Sequence, residues 1–146
     1  MCLYIREAEK YGKIATENIK CYKVLRNYRF YEYWTPLQLC SVRLGERVEA
    51  IGEIDTYVVD DRNIGIGRGV IHTFATLEGA KEFLTEHAND YFLYENEEND
   101  YIIVPCIIPK GTKFFEGVFE DTGIPSYAST ALQYGKEIIE VEKLAR

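Results

Sequence analysis

The sequence predicts an α+β domain dominated by β-structure: a twisted, mainly antiparallel sheet of about seven to nine short strands, with one main helix at about 77–88 packed on it. Three observations carry this prediction. Runs rich in Val, Ile, Tyr and Phe recur along the chain, broken by Gly, Pro, Asn and Asp. Aromatic residues make up 14% of the chain, twelve of them Tyr, a composition suited to half-buried sheet faces and contact surfaces. Only one stretch, TLEGAKEFLTEHA, spaces its apolar residues as a helix does behind a capping residue.

Residues 1–18 mix charges with single apolar residues and lack a sustained period, so they read as an irregular arm over a single domain spanning 1–146. IKCYKVL (19–25) has strand length, with Tyr22 and Val24 on one face and Cys21, Lys23 and Leu25 on the other. NYRFYEYWTP (27–36) reads as a second aromatic strand or an ordered loop, ended by Pro36. From Glu46, alternation puts Val48, Ala50, Gly52 and Ile54 on one side of a half-solvated strand, and TYVVD (56–60) continues it or pairs with it. DRNIGIGRG (61–69) reads as a loop because of its three glycines, and VIHTF (70–74) as a short apolar strand.

Thr76 offers an N-cap oxygen to the helix. Its inward stripe is Leu77, Ala80, Leu84 and Ala88, with Phe83 at the margin; Glu78, Lys81, Glu82 and Glu86 face water. YFLYENEEND (91–100) runs from a strand-like stretch into an acidic turn. YIIVPCIIP (101–109) is hydrophobic enough for burial on both faces, with a bulge or a local edge expected at Pro105. PKGT (109–112) makes a turn, and KFFEGVFED (113–121) returns as a strand with Gly117 as a bulge. After a loop at DTGIPS, the remainder reads as two short strands hinged near Gly135, with Ile139 and Val141 pointing inward.

Charge and cysteine content exclude several classes. Seventeen basic against 24 acidic side chains give a formal charge of -7, which disfavours broad wrapping of nucleic acid. No apolar run approaches the roughly 20 residues of a membrane span. MCLYIREAEKYGK lacks the features of a secretory signal, so a cytoplasmic location is expected. Four dispersed cysteines (Cys2, Cys21, Cys40, Cys106) and two histidines predict free thiols and no metal cluster, and no cofactor motif is present.

Candidate binding chemistry centres on two regions. Gly65 and Gly67, bracketed by Arg62 and Arg68, suggest a backbone-amide cradle for a phosphate-like anion, with His72 close by in sequence. It is no dinucleotide fingerprint, since the segment runs into a strand rather than a helix. The aromatic run containing Tyr31 and Trp34, interleaved with Arg26 and Arg29, offers a stacking or partner surface. A pocket joining both regions would hold a small anionic, nucleotide-like ligand or a protein partner. The alternative enzyme chemistry is an N-terminal nucleophile at Cys2, exposed by methionine removal.

The MCL start, IATENIKCYKVL, YWTPLQL, GVIHTF and CIIPKGTKFFEG followed by SYAS resemble a family of short, uncharacterised proteins from gut Bacteroidota and their tailed phages. That resemblance implies a phage or prophage accessory protein acting in the host cytoplasm, and it brings no activity. A fainter likeness to degenerate ADP-ribosyltransferase-like folds would place Arg26 or Arg29, Thr73, and Glu137 or Glu140 in catalytic positions. The expectation that follows is a non-enzymatic binding module, with a virion or assembly component as the alternative. So aromatic a small protein is also expected to form a homo-oligomer.

Overall fold

The computed structural model describes residues 3–28, 32–34, 41–87 and 100–140. Its strands are β1 (Leu3–Arg6), β2 (Lys13–Ile14), β3 (Ile19–Tyr28), β4 (Glu32–Trp34), β5 (Ser41–Val42), β6 (Arg47–Glu49) and β7 (Asp55–Val58). Then follow β8 (Asn63–Arg68), β9 (Ile71–Phe74), β10 (Asp100–Ile108), β11 (Lys113–Phe119), β12 (Ile124–Ser129), β13 (Ala131–Tyr134) and β14 (Ile139–Glu140). Ten of them form one curled path, β6-β13-β10-β3-β9-β12-β11-β1-β8-β7, with β2, β4, β5 and β14 attached beside it. Every described pairing is antiparallel. The β-dominated class therefore stands, with more strands than the seven to nine expected.

The long β3–β10 pair is the centre of the sheet and is buried on both faces, because both strands carry apolar residues at consecutive positions. Cys21, Leu25, Ile102, Val104, Cys106 and Ile108 enter one cluster with Leu132 and Tyr134. Val24 and Ile103 enter another, beneath the helix, with Phe74, Phe119 and Ile124. A third cluster gathers Leu3, Ile5, Ile64, Ile66 and Phe115 at the β1–β8 end.

Helix α1 (Leu77–Glu82) continues through a π-helical turn at Phe83–His87. Its start is as expected: the Thr76 side chain accepts a 2.9 Å hydrogen bond from the Gly79 amide. Phe83 lies at the centre of the packing rather than its margin. Its ring centroid is 5.1 Å from that of Phe74 and 5.2 Å from that of Phe119. Ala88, and the acidic stretch that follows it, lie outside the described residues.

Three further expectations need correction. Within the supposed arm, Leu3–Arg6 is an interior strand between β11 and β8, with Leu3 fully buried. Four residues are too short for periodicity to reveal. The strand from Glu46 ends at Glu49, and Gly52, at φ 91°, breaks the alternation before β7. Gly117 is paired in register with Ser126, so it is no bulge. A Cβ there would lie 2.1 Å from the carbonyl oxygen of Tyr4, so glycine is required for β1 to approach β11. Pro105 does meet a local edge. On one side it pairs with Tyr22, and on the other it lies between the short partners β13 and β14.

Candidate functional site

The segment read as a glycine loop is strand β8, paired on one side with β1 and on the other with β7. Its backbone groups are therefore engaged in ladders and cannot cradle a ligand. Ile64 and Ile66 drive this outcome by packing into the core. Gly65 lies under the ring of Tyr57 on the neighbouring strand, where a Cβ would be 2.3 Å from Cζ. Gly67 falls where the β7–β8 register shifts. Arg62 precedes the strand and Arg68 ends it, so an extended span of roughly 20 Å separates the two residues and they do not bracket one anion.

An amide nest does form at the preceding turn, but the protein fills it. The Asp60 carboxylate accepts from the amides of Arg62 at 2.8 Å and Asn63 at 2.9 Å, and from the Asn63 side chain at 3.0 Å. The Asn63 side chain, followed by the Arg62 amide, holds the Asp60 carboxyl below its ordinary pKa. This turn uses neither Gly65, Gly67 nor the guanidinium groups of Arg62 and Arg68, so it is not the anion cradle expected from the sequence.

His72 is an inner residue of β9, 6% exposed, and lines a cavity of about 10 Å³ with Lys23, Val24, Thr73, Phe74 and Phe119. That is room for about one water and for no larger ligand. Both ring nitrogens are buried without a hydrogen-bond partner among the described residues. Burial, reinforced by the Lys23 charge, lowers the His72 pKa to about 3, so the ring is neutral. Lys23, 5% exposed, donates a 2.7 Å hydrogen bond from Nζ to the His72 carbonyl. Directly opposite each other on β3 and β10, Cys21 and Cys106 are buried free thiols. Desolvation pushes their pKa values up to about 11 and about 12.

The aromatic candidates belong elsewhere. Tyr31 lies outside the described residues. Trp34 ends β4, whose backbone pairs with β3 and β5, and four strands separate β3 from β8 along the sheet. The backbone topology does not bring the two proposed halves of the pocket together. For the enzyme alternatives, Cys2 and Arg29 are outside the described residues; Thr73 lines the small cavity, but Arg26 and Glu137 do not.

The surface that sequence reasoning missed is the end of the sheet. β7 is a terminal strand, all four of its residues are exposed, and Val58 is 81% exposed. Ile51, in the segment leading into it, is 95% exposed. The other terminal strand, β6, shows Arg47 and Glu49 around a half-buried Val48, the charged pattern that guards an edge. A hint was present in TYVVD, where three apolar or aromatic residues adjoin with no charge between them.

Comparison with protein-family models, with curated proteins and with solved structures finds no match to this chain. Among the described residues, no helix is long and apolar enough to cross a membrane.

Proposed function

We propose that this chain is a non-enzymatic binding module that accepts a partner strand along the free edge of β7, the first such partner being a second copy of itself. The observation that carries the reading is a terminal strand that has no neighbour on its outer side among the described residues. The Val59 amide donates to the Asn63 carbonyl at 3.1 Å, so by alternation Tyr57 turns its backbone toward β8 while Thr56 and Val58 turn theirs outward. Among the described residues those outward groups have no protein partner, and a row of open amides and carbonyls is a template for strand addition.

Self-pairing suits the local charge. An antiparallel β7–β7 contact centred on Tyr57 sets the outward Thr56 opposite the outward Val58 of the second copy and Asp55 opposite its Val59, so the two Asp55 carboxylates stay apart although each chain carries -7. The filled nest at Asp60 favours a protein partner over a small anion. The phage or prophage accessory role implied by the motif resemblance belongs to the same proposal.

Light scattering across a micromolar to millimolar concentration series tests it. Mass should rise with concentration in the native chain and stay monomeric in Val58→Pro, which removes an outward amide on an edge where proline is tolerated. A monomer at every concentration, or unchanged association in Val58→Pro, overturns the reading.

A further inference from the structure

We infer that the junction of α1 with the π-helical turn Phe83–His87 is a divalent transition-metal site, formed by Glu82, Glu86 and His87. One carboxylate oxygen from each glutamate and one imidazole nitrogen all lie within 4.8 Å of one another, and Glu86 Oε2 is 4.0 Å from His87 Nε2. Tetrahedral ligands on one zinc ion lie about 3.4 Å apart, so closing the set needs the exposed glutamate side chains to draw in by roughly 1.5 Å.

The backbone explains the convergence. In an α-helix a residue five positions on lies about 140° round the axis, so Glu82 and His87 would diverge. The i→i+5 winding of Phe83–His87 carries position 87 back toward the side of Glu82 while Glu86 remains near it. Such single π-turns occur disproportionately at functional sites.

Electrostatics point the same way. Two carboxylates one turn apart repel, and among the described residues neither is ion-paired with a lysine or arginine; the one pairing is Glu86 with His87 itself. His87 is half-buried, which restricts its ring, while both glutamates are exposed and free to adjust.

Imidazole with two carboxylates suits zinc, manganese or cobalt over magnesium or calcium, and three protein ligands leave positions for water. The dispersed cysteines and the two histidines predicted no metal cluster, and an E-x-x-x-E-H run converges only when the helix widens.

Titration calorimetry of the full, reduced chain with zinc chloride tests the assignment, with cobalt as a spectroscopic substitute. Zinc should bind with one-to-one stoichiometry and more tightly than magnesium. Glu82→Gln and His87→Gln should each weaken it by roughly tenfold or more, while Glu78→Gln, on the same helix, leaves it unchanged. All three variants should melt like the parent, and the cobalt form should lack a thiolate charge-transfer band. Absence of saturable zinc binding, retained affinity in His87→Gln, or a thiolate band from the cysteines overturns the assignment.

Discussion

The Lys23 ammonium and the His72 carbonyl, 49 residues apart in sequence, are joined by a buried 2.7 Å hydrogen bond. Strands β3 and β9 share the single pair Tyr22–Phe74 and then part, and the amine occupies the opening. Lys23→Met keeps the apolar stem but withdraws the donor, leaving a buried carbonyl without its charged partner. Chemical denaturation should show a loss of about 1–3 kcal/mol. Unchanged stability would mean that the bond contributes nothing net.

Acid should act through His72. Its ordinary pKa of 6.5 is lowered to about 3 in the folded chain, by burial first and by the Lys23 charge second. Between these values the unfolded chain takes up a proton that the folded chain refuses. The contribution of neutral His72 is therefore fully present above pH 6.5 and is lost as pH falls toward 3, by about 1.4 kcal/mol per pH unit. Stability curves from pH 7 to pH 4 should be steeper for the parent than for His72→Phe. In Lys23→Met the His72 pKa should move up, so the decline should level off at a higher pH. Parallel parent and His72→Phe curves would contradict this.

Two glycines should differ sharply in their tolerance of alanine. At Gly117 the new methyl meets the Tyr4 backbone carbonyl, which cannot move without displacing β1. At Gly65 it meets the ring of Tyr57, a residue exposed enough to swing aside. Gly117→Ala should cost about 3 kcal/mol, and Gly65→Ala about 1 kcal/mol. A double-mutant cycle with Tyr57→Ala should recover most of the Gly65→Ala loss and none of that at Gly117.

Thiol reactivity should divide the four cysteines. Cys21 and Cys106 are buried and held protonated by desolvation, and Cys106 Sγ also donates to the Val104 carbonyl at 3.3 Å. An aromatic disulfide reagent at neutral pH should titrate no more than two thiols in the folded chain, and all four in denaturant. Fast reaction of three or four without denaturant would place one of these residues at the surface.

Much of the scaffold was legible because its signals are local. The Thr76 cap, the helical stripe, the two-faced β10 and the alternation of Cys21, Lys23 and Leu25 against Tyr22 and Val24 depend on neighbours in sequence. The candidate site was not legible in this way. Gly65 and Gly67 are flexible residues in isolation, and only pairing with β1 and β7 makes them strand. Lys23 reads only as sharing a strand face with Cys21 and Leu25 until β9 supplies the carbonyl that holds it. Whether β7 ends the sheet or sits within it depends on strand order, which no window of sequence encodes.

Amide hydrogen exchange of β7, followed at low and high protein concentration, tests the edge proposal most directly. Tyr57, bonded toward β8, should be protected at both concentrations. Thr56 and Val58 should exchange freely when dilute and become protected when concentrated. Concentration-independent exchange at Thr56 and Val58 would contradict self-pairing through this strand.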